Sequence, residues 1–202
     1  IGGCIAYTCG GSDAGSGDDQ DITGNISYAA IDSSGRLTLP SGCGGTAYGA
    51  WCVDSTNRVN GTAGIAAAGV TVFNNRIYLV GGIDDTADGT TNIYYNSTNT
   101  NGSLSGAWST TSFATAGITG ELAYTYAYSR ANPNSSSDPG NLYIFGGCGA
   151  VSASSAGCSS VYRSEVYKCN IASAGSINTC TTTGQLQIDS ELADETDQGL
   201  GL

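Results

Sequence analysis

The chain has no histidine and no methionine, and only six of its 202 residues are Lys or Arg. Each shortage removes a class of chemistry. Without histidine there is no Ser-His-Asp triad, no imidazole acid or base, and no imidazole ligand for copper. The five arginines, Arg36, Arg58, Arg76, Arg130 and Arg163, lie one per segment, and Lys168 is the sole lysine. That leaves neither a basic stripe for nucleic acid nor an arginine cluster for a carboxylate substrate. The formal net charge of −11 disfavours anionic membrane surfaces as well. No run of about 18 apolar residues is present, so no membrane insertion is expected in this segment. P-loop and nucleophile-elbow patterns are missing, and the chain is expected not to be an enzyme. With no Met and no signal-peptide pattern behind Ile1, the sequence reads as a processed product or an excerpt of a longer polypeptide.

Charged residues make up only 11% of the chain, against roughly 25% in ordinary soluble domains. Their place is taken by 31 glycines and by Ser, Thr and Asn, a composition suited to strands and turns rather than helices. Disorder is the alternative, but 12 Tyr, 3 Phe and 2 Trp with repeated aliphatic runs supply apolar surface to bury. The class expected is all-β.

Eight cysteines are spaced C-x4-C (Cys4, Cys9), C-x8-C (Cys43, Cys52), C-x9-C (Cys148, Cys158) and C-x10-C (Cys169, Cys180). With no histidine and no C-x-x-C, zinc is disfavoured, and an even number reads as disulfides in an oxidising compartment. Roughly a hundred connectivities exist for eight cysteines, and neighbour pairing is the one hairpin geometry suggests. Five N-x-[ST] sequons, at Asn25, Asn60, Asn96, Asn101 and Asn134, agree with that compartment, although Asn, Ser and Thr are abundant enough for chance matches. The expected location is extracellular or on the cell surface.

Internal repetition organises the rest. The run Arg76-Ile77-Tyr78-Leu79-Val80 stops on Gly81-Gly82, and Asn141-Leu142-Tyr143-Ile144-Phe145 stops on Gly146-Gly147. Ile1-Gly2-Gly3 resembles the end of a third copy, so the glycine pairs are 79 and 65 residues apart. Each is followed by a tyrosine-bearing run and a glycine turn: Ile26–Ile31 with Gly35, Asn92–Tyr95 with Gly102, and Glu165–Cys169 with Gly175. A last short strand begins at Trp51, Trp108 and Cys180. Each unit thus reads as four strands. The first is exemplified by residues 66–73 and 121–128, where Tyr124, Tyr126 and Tyr128 alternate with period two. Asn74-Asn75 supplies a tight turn into the second strand, which is apolar enough to be buried on both faces. Glycine pairs are expected where a Cβ would strike a neighbouring backbone. Trp51 and Trp108 are expected to fill gaps between sheets. The units are a partial one at 1–62, complete ones at 63–117 and 118–183, and a linker or start of another at 184–202.

Hydrophobic strand, Gly-Gly, a later Tyr and then Trp, seen as Arg76 to Gly82, Tyr94 or Tyr95, and Trp108, resembles the motif of the kelch-like β-propeller family. More closely, the chain is similar to Cys-rich kelch-like arrays of large secreted bacterial surface proteins, through its Tyr-Tyr strand, Asn-Gly-Ser turn and Trp-Ser-Thr-Thr strand. The resemblance implies a propeller segment of four-stranded antiparallel blades, two complete and two partial, stapled by disulfides. The chain departs from the family in a longer Tyr-to-Trp interval, in Cys180 where the third Trp would stand, and in inflated loops.

Two groups of residues are candidates for binding. Asp84, Asp85 and Asp88, like Asp18, Asp19 and Asp21, follow a glycine pair and offer hard oxygen ligands for Ca²⁺, though neither loop matches an EF-hand pattern and both also read as solvated loops. No other cofactor is expected. Tyr7, Tyr48, Tyr124, Tyr126, Tyr128 and Tyr162 are candidates for stacking on sugar rings, the alternative being packing between strands. The function expected is a non-enzymatic surface module presenting loops to a protein or glycan. The runner-up is a structural subunit of an extracellular filament or sheath, made of copies of itself and completed by strand exchange. A propeller enzyme with its catalytic groups outside this segment ranks third.

Overall fold

The computed structural model describes residues 4–9, 12–13, 21–22, 24–61, 63–84, 89–135, 138–152 and 157–186, with the side chains of 4–9, 12–13, 21–22, 150–152 and 157–161 outside the description. These residues form antiparallel sheet with one four-residue helix. Two compact units are present, Ile1–Ala66 with Asn96–Trp108, and Ala67–Tyr95 with Ser109–Leu202. The cut differs from the serial division at 62, 117 and 183, because the turn-bearing stretch 96–108 falls with the first unit.

The first unit contains β1 (Cys4–Cys9), β2 (Ser12–Asp13), β3 (Asp21–Ile22), β4 (Ile26–Ile31), β5 (Leu37–Thr38), β6 (Thr46–Tyr48) and β7 (Trp51–Asp54). Its sheet runs β1-β4-β7-β6, with β5 also paired to β4 and β2 paired to β3. Residues 4–9 are a strand in register with β4, from Cys4 opposite Ile31 to Cys9 opposite Ile26, rather than the loop expected after a glycine pair. Tyr28 is buried, and its hydroxyl donates to Cys52 Sγ at 3.2 Å. Cys52 is itself joined to Cys43, with 5.7 Å between their Cα atoms.

The second unit holds β8 (Gly69–Phe73), β9 (Arg76–Val80), most of β10 (Asn92–Ser97), β11 (Ser109–Ser112), α1 (Phe113–Ala116), β12 (Tyr126–Ala131), β13 (Gly140–Phe145), β14 (Cys148–Ser152), β15 (Gly157–Tyr162), β16 (Glu165–Ile171) and β17 (Ile177–Gln185). Two four-stranded meanders result, β8-β9-β10-β11 and β12-β13-β16-β17, while β14 and β15 form a separate hairpin. The stretch after Gly146-Gly147 is therefore a hairpin, not an irregular loop. Asn74 and Asn75, with φ of +48° and +57°, make the two-residue turn that Phe73 and Arg76 close as a cross-strand pair. The Cys169–Cys180 disulfide joins directly opposed residues of β16 and β17. The glycine turn recurs three times with one geometry. In Asp32–Arg36, Asn99–Ser103 and Ala172–Ser176 the first N–H donates to the fifth carbonyl and the glycine N–H to the first, at 2.8 to 3.0 Å. The glycines, Gly35, Gly102 and Gly175, have φ of +82°, +87° and +89°.

One core unites the two meanders: Tyr78, Val80 and Ile93 from the first meet Ala127, Leu142 and Ile144 from the second. Phe113 and Ala116 of α1 join it, on a helix capped at its start by Ser112 Oγ, which accepts from Thr115 N–H, and closed by left-handed Gly117. The sequence reading missed this turn of helix. It also placed the strand after it at 121, five residues early. Residues 122–125 are instead a connector, in which Tyr124 takes φ of +53° and donates its N–H to the Ala67 carbonyl.

That connector explains the glycine pairs. Gly81 and Gly82 have φ of +62° and +104°, and Gly146 and Gly147 have +56° and +96°. A Cβ on Gly81 would stand 2.0 Å from the Leu122 carbonyl oxygen, and one on Gly147 would stand 2.6 Å from that of Ala123. Leu122 O accepts from Gly82 N–H at 2.8 Å, and Ala123 exchanges two 2.9 Å bonds with Cys148. Gly81→Ala is expected to cost roughly 2–4 kcal/mol in denaturant unfolding, because backbone clash and positive φ act together. Gly184→Ala is its control: with nothing within 4 Å of the added Cβ, it should fall within about 0.5 kcal/mol of the parent.

Candidate functional site

The second strand of each meander has a different fate. In β9 Ile77, Tyr78, Leu79 and Val80 are all buried, as expected. In β13 only the core-facing residues follow suit, and Tyr143 and Phe145 are half-exposed, a departure from burial on both faces. Strand alternation sets the reason. Gly140, Leu142 and Ile144 point to the shared core, and Asn141, Tyr143 and Phe145 to the opposite face.

Opposite those residues on β12 stand Arg130, Tyr128 and Tyr126, paired with Asn141, Tyr143 and Phe145 respectively. On the other side β16 places Lys168 beside Tyr143 and Val166 beside Phe145. The rings form a ladder: Tyr126 to Phe145 is 5.9 Å between centroids, and Tyr128 to Tyr143 and Tyr143 to Phe145 are each 6.4 Å. Tyr126 is 55% exposed and Tyr128 49%, unusual for large rings on the surface of a soluble chain. At the end of the ladder Asn141 is buried, and its Oδ1 has no hydrogen-bond partner among the described residues. The face therefore combines flat aromatic surface with two cations, Arg130 and Lys168. It can bind, by stacking and hydrogen bonding.

Of the six tyrosines singled out from the sequence, only Tyr126 and Tyr128 share this face. Tyr48 is exposed on β6 of the first unit, Tyr124 is held in the connector, Tyr162 ends β15, and the side chain of Tyr7 lies outside the described residues. Tyr143 and Phe145 were missed. The signal available was their one-to-one register with Tyr126 and Tyr128 across the Asn132–Pro139 turn.

Asp84 is half-buried, and Asp85 and Asp88 lie outside the described residues, as do Asp18, Asp19 and the side chain of Asp21. Among the described residues no group of three or more His, Cys, Asp or Glu stands together as metal ligands. Cys148 is disulfide-bonded, whereas the side chains of Cys4, Cys9 and Cys158 lie outside the description. Asn134 is exposed, and Asn25 and Asn60 are half-buried or buried in part. Asn101 spends its amide on the Ser41 and Gly42 carbonyls, and Asn96 is 5% exposed with Nδ2 donating to the Gly106 carbonyl at 2.6 Å. A glycan on Asn96 cannot coexist with that packing. Trp51 is half-buried opposite Tyr48, and Trp108 donates its indole N–H to the Asn57 carbonyl at 2.9 Å. No helix among the described residues is long and apolar enough to cross a membrane. Compared with known proteins, the chain matches no family model and no curated sequence.

Three buried tyrosines are held in their neutral form. Burial pushes the Tyr78 hydroxyl up to about 12, and burial also raises Tyr94 and Tyr167 above the ordinary tyrosine value. Tyr78 donates to the Gly175 carbonyl at 3.0 Å and cannot do so once ionised. Its neutral form is favoured by folding, so its contribution is complete below about pH 10 and is lost as pH rises from there toward 12. Alkaline titration followed by phenolate absorbance should show a last transition near pH 12 that Tyr78→Phe removes. The pH dependence of unfolding between 10 and 12 should flatten in the same variant.

Proposed function

We propose that the chain is a kelch-like β-propeller segment acting outside the cell as a non-enzymatic binding module, its stacked four-stranded meanders being blades. The observation that carries the reading is the ladder of Tyr126, Tyr128, Tyr143 and Phe145 flanked by Arg130 and Lys168. Flat rings next to amide and cationic groups suit the apolar face and hydroxyl rim of a sugar, or an apolar patch on a protein. Two disulfides between described residues, Cys43–Cys52 and Cys169–Cys180, support an oxidising compartment. The blade reading is supported by meanders that share a core and by the recurring glycine pairs and turns.

The adhesive reading is tested by binding of the monodisperse protein to an oligosaccharide array and to whole cells. Tyr126→Ala with Tyr128→Ala is expected to lower affinity by about tenfold or more, since truncating exposed aromatic anchors commonly costs that much. Absence of binding, or binding untouched by the double substitution, overturns it.

A second reading, a structural subunit of an extracellular filament or sheath, is favoured by one further observation. Two apolar residues of β8 are also exposed, Val70 at 46% and Val72 at 53%.

A further inference from the structure

We propose that the Cys43–Cys52 disulfide is an exchange site for an external thiol, with Cys43 Sγ the sulfur attacked and Cys52 Sγ the leaving group received by the Tyr28 hydroxyl. The site is independent of what the tyrosine ladder binds.

It exists because the first unit carries an excursion that the later repeats lack. From Gly102 to Trp108, and from Gly175 to Cys180, the glycine turn leads almost directly into the last strand. Between Gly35 and Trp51 the chain instead detours through β5 and β6. Residues 37–50 are exposed along nearly their whole length, with only Pro40 buried and Cys43 and Ala50 half-buried. Having no counterpart in the other repeats, the detour is given no cover by their stacking. The Cys43–Cys52 bond ties it to β7.

The two sulfurs differ in access. Cys52 is 0% exposed, on a strand paired with both β4 and β6. Cys43 is half-buried between Gly42 and Gly44, and the space a Cβ on Gly44 would enter is open. Exchange requires a thiolate to reach the sulfur it attacks, so access selects Cys43. No charged side chain lies between Leu37 and Val53, so in a chain of net charge −11 an anionic thiolate meets no carboxylate on the detour itself. The Cys169–Cys180 bridge, by contrast, joins residues 0% and 5% exposed within a paired ladder.

A buried sulfur is ordinarily a poor leaving group, because apolar surroundings disfavour the thiolate. Tyr28 offsets that. Its hydroxyl donates to Cys52 Sγ at 3.2 Å, and the Gly44 N–H donates to the Tyr28 oxygen. Burial raises the Tyr28 hydroxyl above the ordinary tyrosine value, so it keeps its proton at the mildly alkaline pH where thiols ionise. The incoming thiolate forms a new S–S bond to Cys43 as the bond to Cys52 breaks. The electron pair stays on Cys52 Sγ, where the Tyr28 hydrogen bond strengthens as charge develops, and water then supplies a proton. A second external thiol displaces the first from Cys43, leaving two cysteine thiols and one external disulfide, a two-electron reduction. Where no second thiol arrives, Cys52 attacks Cys43 of the mixed disulfide, expels the external thiol and restores the bridge.

The test is differential alkylation with peptide mass spectrometry, taking initial rates on the folded chain in reduced glutathione at about pH 8. Cys43–Cys52 is expected to open about tenfold faster than Cys169–Cys180 or more, and the glutathione adduct to sit on Cys43. Tyr28→Phe should slow the opening by about threefold or more, since it removes the donor to the departing sulfur. A hydroxyl that merely packed the detour would, once removed, loosen it and speed the opening. An adduct on Cys52, or a Cys169–Cys180 bridge that opens as fast, overturns the proposal in the wild type alone, whatever the folding of the variant. Unchanged or faster opening in a Tyr28→Phe protein with native circular dichroism overturns the part given to Tyr28.

Discussion

The second unit depends on one close approach of backbone to backbone. Residues 122–125 thread between two glycine pairs, with carbonyl oxygens of Leu122 and Ala123 where side chains on Gly81 and Gly147 would have to be. Because the glycines leave that space empty, one short segment can hydrogen-bond at once to the first meander, through Leu122 to Gly82 and Thr125 Oγ1 to the Val80 carbonyl, and to β14, through Ala123 to Cys148. The sheets are then held at a separation at which Leu142 and Ile144 reach Tyr78 and Val80. Burial of those side chains supplies the driving force, and the glycines make the geometry attainable.

Much of this was legible beforehand because the responsible residues are local. A two-asparagine turn, an apolar run ending on paired glycine and a glycine three residues into a polar turn each determine backbone within a few positions, and they recur. The run at 112–117 was opaque, since Ser112 and Gly117 cap a helix of a single turn whose formation depends on Phe113 and Ala116 finding the core. The start of β12 was misplaced for a related reason. Tyr124 continues a period-two pattern, yet its left-handed conformation belongs to the connector, and the connector is defined by a glycine pair some forty residues upstream.

The candidate site shows where local reading stops. Tyr126 and Tyr128 could be singled out as aromatic residues on one strand face, but their partners could not. Tyr143 sits in a run as apolar as the one containing Tyr78, and the two differ only in whether another sheet lies over them. Tyr78 is sealed, with its hydroxyl tied to Gly175, while Tyr143 lies in a half-open ladder. Coverage is a property of neighbours, not of the strand. The sulfur chemistry was legible in part: opposed positions of a hairpin bring close cysteines together, as Cys169 and Cys180 illustrate, whereas Cys4 and Cys9, expected to pair across a loop, stand at the two ends of one extended strand.

That last bridge has a mechanical corollary. Strand β17 is the final rung of its sheet, and tension drawn from its C-terminal end would load the β16–β17 ladder one bond at a time, like a zip. Peeling starts at the Glu165–Gln185 pair and proceeds inward until it meets Cys180, covalently fastened to Cys169 across the ladder. There the run is arrested. Further load is transferred to β16 and through it to β13 at the centre of the sheet, so the tight turn at Ala172–Ser176 is shielded from strain as long as the sulfur link is oxidised.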